Sequence, residues 1–314
     1  MTIFDNVWTI KIVFLSLGGF IVIKALGAIY FIWGFNWVVM KEANLFFPPI
    51  VFVAYRFALG AAILLLVTIW LRLPPPPRKY WKWIILTGIL QTAVNNVAAQ
   101  IGIQSLGAGL VAVLNYSMPV WVAILAHFFL REHLTLRKIL GIVISMTGLF
   151  ILMNINTVGN IAAILLTLAG AVAWAVANII MRQQNQVMQQ SSRCGNKPDC
   201  TIIQYTTWQM IAGTILLFIY MGFTDQGIVQ WTPLSISILL YNGILASALA
   251  FFLWNYILSR MEASKASVAI LAVPVVGVIC GIIFLEEALT ITTTLGMSLI
   301  LIGITLIVTQ KKAA

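Results

Sequence analysis

Several stretches of this chain stay apolar for longer than a soluble core requires. Val51 to Leu71 carries one charge, Arg56, and Val268 to Leu285 carries none. About 20 consecutive apolar residues are enough for a helix to cross the hydrocarbon layer of a bilayer. Lipid offers no partners to the backbone, so a spanning segment must be a helix or part of a closed barrel. A barrel strand alternates apolar and polar residues, and these runs do not alternate. With 61% hydrophobic and 8% charged residues, the chain has too few charges to clothe a soluble surface. It reads as an all-α integral membrane protein.

Ten spans are expected, near residues 26–43, 49–71, 83–104, 108–130, 136–154, 160–181, 202–222, 235–258, 265–285 and 291–309. Most connections are short, so neighbouring helices run antiparallel. Pro74 to Pro77 cannot continue a helix and form a stiff extended turn. Residues 182–201, rich in Gln, Asn and Ser, read as one long polar loop on the cytoplasmic side. From Trp8 to Met40 only Lys11 and Lys24 are charged, which is too long for one upright span. Residues 1–23 are read as an apolar, interfacial segment leading into the first span, with an eleventh span as the competing reading. A signal peptide fits less well, because Asp5 precedes the apolar run and no small-x-small cleavage site follows.

The net charge is +10, yet its placement points to membrane flanks. With the N-terminus inside, sixteen of the eighteen Lys and Arg fall on inner segments; the exceptions are Lys41 and Arg56. This is the positive-inside pattern. It sets both termini in the cytoplasm of a multi-pass protein of the cytoplasmic membrane and removes the need for a nucleic-acid partner. Cys194 and Cys200 share the polar loop and Cys280 lies in an apolar run. Structural zinc sites use about four ligands, so no metal and no cofactor is expected.

The two halves of the chain are related. A shift of 155 carries Gly88-Ile89-Leu90 onto Gly243-Ile244-Leu245, Pro119 onto Pro274 and Phe129-Leu130 onto Phe284-Leu285. It also carries Glu132 onto Glu287, Leu134-Thr135 onto Leu289-Thr290, Gly141 onto Gly296 and Gly148 onto Gly303. Nearer the start of each half the shift changes: Trp33 and Met40-Lys41 resemble Trp174 and Met181-Arg182. The halves are read as 24–154 and 155–314, the second containing the 182–201 loop. Each holds five expected spans, an odd number, so the second enters the membrane inverted. The charges agree: Arg137-Lys138, inside, correspond to Thr292-Thr293, outside. Two inverted five-helix repeats are the plan of secondary transporters, with the solute site at the repeat interface.

Trp33-Gly34-Phe35-Asn36 followed by Lys41, then Pro48-Pro49, Tyr55-Arg56-Phe57, Pro119 and the stretch from Leu130-Arg131-Glu132 to Gly141 form an ordered set. Pro274 and the stretch from Glu287 to Gly296 continue it in the second half. With these motifs the chain resembles the EamA-type transporters of the drug/metabolite transporter superfamily, over about residues 24–309. The resemblance implies a ten-helix carrier with a central solute cavity, and export of amino acids or related metabolites. The apolar N-terminus and the Gln-rich stretch after Met181 depart from the family pattern.

Polar groups at membrane depth are costly and therefore mark candidate sites. Lys41 and Arg56 can attract an anionic group; the alternatives are snorkelling beside Glu42 for the first and a structural ion pair for the second. Gln91, Asn95, Asn96, Gln100 and Gln104 make the third span unusually polar, suited to a wet cavity or to helix-to-helix glue. Asn115, Tyr116 and Ser117 precede Pro119, which frees a carbonyl and kinks its span, and Pro274 does the same in the repeat. Trp33 and Asn36 in the first span, Trp174 and Asn178 in its repeat, and Trp254 with Asn255 complete the candidate lining. His127 is the one histidine within a span, near its inner end. Glu132, Glu286 and Glu287 close spans as boundary charges or gating pairs. The glycine and small-residue spacings read as close helix packing.

A membrane-embedded enzyme lacks parts: the chain has two His and no Asp within an expected span. The expected function is a secondary carrier of small metabolites through the bilayer; a channel, a scaffold, or a carrier of drugs, sugars or nucleotide-linked solutes are the alternatives. A ten-helix chain can enclose its own cavity, so a monomer suffices and the oligomeric state is left open.

Overall fold

The computed structural model describes residues 3–152, 160–193, 199–223, 227–285 and 290–309. The elements are α1 (Ile3–Ala43), α2 (Pro49–Trp70), α3 (Arg78–Thr87), a π-helical segment (Gly88–Asn95), α4 (Asn96–Asn115), α5 (Met118–Leu130) and α6 (Leu136–Leu152). Then follow α7 (Ile161–Arg193), α8 (Ile202–Gly222), α9 (Pro233–Leu240), a second π-helical segment (Tyr241–Leu249), α10 (Ala250–Arg260), α11 (Ala263–Ala269), α12 (Ala272–Leu285) and α13 (Ile291–Val308). Among the described residues six helical stretches are long and apolar enough to cross a bilayer, and three shorter apolar helices accompany them.

Local chemistry sets many boundaries. Thr201 and Thr232 each cap a helix start reciprocally, with Gln204 and Ser235 three residues on. Pro77 takes extended angles (φ −55°, ψ 149°), so the proline run is the stiff strut expected of it. At the end of α5, Arg131 turns left-handed (φ 54°), and the Glu132 amide donates back to the Ala126 carbonyl at 3.1 Å.

Helix α4 contains a reversal. Asn95 Nδ2 donates to Asn115 Oδ1 at 2.7 Å, although a straight helix would separate residues 20 apart by about 30 Å. A Cβ on Gly102 would lie 3.0 Å from the Val111 side chain, so the chain doubles back between these two residues. Two breaks then fall just before the prolines: Tyr116–Ser117 ahead of Pro119, and Ile270–Leu271 ahead of Pro274. The shift of 155 relates the two prolines, and the breaks before them to within one residue, as it relates Gly88 and Gly243 within the two π-helical segments.

Close packing follows the same correspondence. A Cβ on Gly60 would touch the Gly243 carbonyl and Ser247 Cβ at 3.0 Å; one on Gly213 would meet the Gly88 carbonyl and Thr92 Cβ at 2.5 Å. Ser247 and Thr92 are again 155 apart. Gly141 lies against Ile307 and Gly303, and Gly148 against Gly296, so α6 and α13 run antiparallel with backbones in contact.

The segment before residue 24 leads into the first span without a break, because from Ile3 onward α1 is one helix of 41 residues. One expectation needs correction. The polar stretch 182–201 is not a loop over its first part, because α7 continues to Arg193. Gln is a good helix former, and the extension finds partners: Arg182 Nη1 donates to the Leu258 carbonyl (2.8 Å) and Gln189 Nε2 to that of Ser259 (2.8 Å). Gln183 likewise reaches the Phe129 carbonyl at 3.3 Å. These contacts satisfy carbonyls at the ends of α5 and α10 that have no partner within their own helices.

Candidate functional site

A cavity lies where α1, α2, α4 and α7 meet the second π-helical segment and α10. It holds about 530 Å³ of empty space, counting its open mouth. Trp33, Asn36, Arg56, Asn95, Asn96, Asn115, Tyr116 and Trp174, all singled out in the sequence, line it. Trp37, Met40, Ala99, Ala246 and Phe251 complete the wall. Trp33, Asn36, Trp37 and Met40 follow the i, i+3, i+4, i+7 face of α1, a signal that would have found Trp37 and Met40. Ala99, Ala246 and Phe251 carry no polar mark.

One side of the cavity is aromatic. Trp33 packs edge-on to Trp174 at 5.8 Å between ring centres and to Phe251 at the same distance. Trp254 lies behind them, 6.1 Å from Trp33 and 6.2 Å from Trp174. The π-helical segments serve this wall directly. Trp33 Nε1 donates to the Ala246 carbonyl at 3.0 Å, and Asn96 Nδ2 to the Gln91 carbonyl at 2.7 Å. Gln91 and Ala246 are 155 apart, so both π segments offer a carbonyl at the same repeat position to a lining side chain.

The opposite side is polar. Asn95 Nδ2 bridges Asn115 Oδ1 and the Gly170 carbonyl (3.0 Å), fixing the α4 hairpin against α7. Trp37 Nε1 donates to the Tyr116 hydroxyl at 3.1 Å, beside the break before Pro119. Arg56 is 3% exposed and donates from Nη1 to Asn242 Oδ1 (3.1 Å) and from Nη2 to Asn96 Oδ1. Its guanidinium lies 4.8 Å over the Phe57 ring.

Six expected lining residues sit elsewhere. Lys41 is exposed at the end of α1. Gln100 holds that end, donating from Nε2 to Asn44 Oδ1 at 2.6 Å, which is the helix-glue reading. The other four form a buried layer beside the cavity. Gln209 Nε2 donates to Gln91 Oε1 (2.6 Å), Asn255 Nδ2 to Gln209 Oε1 (3.2 Å), and Trp254 Nε1 to Asn178 Oδ1 (2.9 Å). Asn185 Nδ2 reaches the Asn255 carbonyl at 3.4 Å.

A polar cluster joins the two halves where basic residues gather. The Glu132 carboxylate accepts from the backbone amides of Ala263 (2.7 Å) and Ser264 (3.1 Å) and from the Ser264 hydroxyl. Lys138 pairs with Glu262 at 3.1 Å, and Lys265 approaches the same carboxylate at 3.8 Å. Each of the first two contacts joins the first half of the chain to the second. His127 lies at this end, its ring nitrogen 3.1 Å from the Glu132 carbonyl. Glu286 and Glu287 lie outside the described residues. Among the described residues no group of three His, Cys, Asp or Glu could hold a metal. Cys200 is a free buried thiol, which burial pushes up to about 12; Cys194 is outside the described residues.

Comparison with known proteins agrees with this architecture. Residues 19–154 and 161–309 each match the EamA-like transporter family. The chain is 30% identical over 281 residues to the uncharacterized transporter YoaV of Bacillus subtilis, covering 87% of this chain and 91% of that protein. A relative from Salmonella typhimurium named a probable amino-acid metabolite efflux pump is 26% identical over 87% of this chain and 90% of its own length. A crystal structure superposes with a TM-score of 0.74, covering 93% of this chain and 96% of the other, at 16% identity; it shares the fold.

Proposed function

We propose that this chain, which belongs to the EamA-like transporter family, is a secondary carrier that moves small metabolites by alternating access. It is a multi-pass membrane transporter and not an enzyme. The reading adds that ten spans form two inverted five-helix repeats, with both termini in the cytoplasm and the basic end facing in. The solute is an amino acid or a related compound, and the net direction is export.

One observation carries the reading: a polar, aromatic-walled cavity lies between the halves, and a latch made across the halves closes the basic end. The repeat correspondences support it further. They carry three cavity positions, Trp37, Ala99 and Ala246, onto Asn178, Trp254 and Gln91. Those three residues are buried polar or aromatic groups in the adjoining layer. When the second half leads, this layer opens as the inward-facing vestibule. The apparent misfit of Gln91, Asn178 and Trp254 with the cavity is then the difference between two orientations of one carrier.

Counterflow in liposomes tests the reading, with amino acids as first probes. Saturable exchange is expected, reduced at least tenfold by Asn95→Ala, which frees the Asn115 and Gly170 contacts. A folded protein that exchanges none of the probes sinks the carrier reading. Cysteines placed at Arg137 and at Thr292 should label from opposite sides of the membrane; labelling from one side removes the inverted arrangement.

A further inference from the structure

We propose that Arg56 anchors a solute carboxylate, so that the cavity takes zwitterionic or anionic carboxylates and refuses the corresponding free amines. This rests on the carrier reading and names the solute class for the same cavity.

Arg56 lines the cavity and is almost fully buried, yet its hydrogen-bond partners are the neutral amide oxygens of Asn96 and Asn242. Amides orient a guanidinium without neutralising it. Among the described residues no carboxylate pairs with Arg56. An isolated charge at membrane depth is costly, and a solute anion in the cavity relieves that cost. The guanidinium has a donor to spare, because Arg56 Nε has no partner. Trp174 Nε1, on another cavity wall, is a second donor without one.

The remaining orphan in the wall has the opposite character. Asn36 Oδ1 is a buried acceptor with no partner, on the α1 face that also presents Trp33 and Trp37. An amide oxygen that shares its helix face with two indoles suits an ammonium group. Two spare donors and one spare acceptor in one cavity are the complement of a carboxylate and an ammonium carried by a single solute. A free amine satisfies only the acceptor and adds a second positive charge beside Arg56. Lys41 cannot take this role, since it is exposed outside the cavity.

The test compares acids with their decarboxylated partners in proteoliposome counterflow: l-phenylalanine and l-leucine against phenethylamine and isopentylamine. Both amino acids should exchange saturably, and the amines at least tenfold more slowly. In wild-type protein, 3-phenylpropionate should compete with labelled phenylalanine, whereas phenethylamine should not. Arg56→Gln should lower phenylalanine exchange at least tenfold, with Arg56→Lys retaining more than Arg56→Gln; monodispersity and tryptophan fluorescence check that both variants are folded. Because the competition uses unmodified protein, it stands even where a variant fails to fold. Saturable exchange of amines at the rate of the acids overturns the anchor while the carrier reading stands. Wild-type exchange by folded Arg56→Gln does the same. No exchange of any probe overturns both.

Discussion

Gly88 shows how much one missing methyl group can hold together. A Cβ there would overlap the Gln209 carbonyl and come within 3.0 Å of the Gly213 amide, and neither backbone atom can swing aside. Gly88→Ala should therefore destabilise the protein by about 1–3 kcal/mol, seen as a lower melting temperature in detergent. Gly27 has nothing within 4 Å of its Cβ position, so Gly27→Ala should change stability by less than about 0.5 kcal/mol. Equal losses in the two variants would rule out the helix crossing as the cause. The cavity lining was legible at this scale where it carries polar atoms in an apolar span: Arg56, Asn95, Asn96 and Asn115 stand out because their burial costs energy. Ala99, Ala246 and Phe251 do not, since a small or apolar residue in a wall looks the same in sequence as one facing lipid. Gln100 was misplaced because an amide that glues two helices has the same signature as one that lines a cavity.

Among the elements, breaks were easier to foresee than extensions. Pro119 and Pro274 announce their interruptions, because a ring without an N–H cannot continue the hydrogen-bond ladder. The π-helical segments were not legible: Gly88-Ile89-Leu90 marked the repeat, but one wide turn leaves no trace in composition. The far end of α7 was read as a loop because its residues are polar, although polarity there reflects solvent and partners, not disorder. Its Arg182 guanidinium and two Gln amides reach the ends of α5 and α10. Hydrogen exchange at residues 183–190 should accordingly be slowed at least a hundredfold relative to an unstructured peptide. Exchange at the free-peptide rate would contradict the helix.

Taken as a whole, the molecule revealed its repeat in the sequence but not the latch across it. Repeats survive as spaced Gly, Pro and Leu, whereas Glu132 and Ala263 meet only when the chain is folded. Removing the Glu132 carboxylate strips the acceptor from two backbone amides and a hydroxyl. Glu132→Ala should loosen the basic end, raising severalfold the labelling of a cysteine placed at buried Ser259 in a background lacking the native cysteines. Unchanged labelling would deny these contacts a gating role. Outside the residues that line the cavity, α6 and α13 lie backbone to backbone at Gly141, Gly148, Gly296 and Gly303, and the Ile307 side chain fills the notch at Gly141. A seat this close holds the two helices as one pair, because rolling one over the other would drive the Ile307 side chain into the Gly141 backbone. The shift of 155 exchanges Gly141 with Gly296 and Gly148 with Gly303, so each half brings the same pair of glycines to this seam.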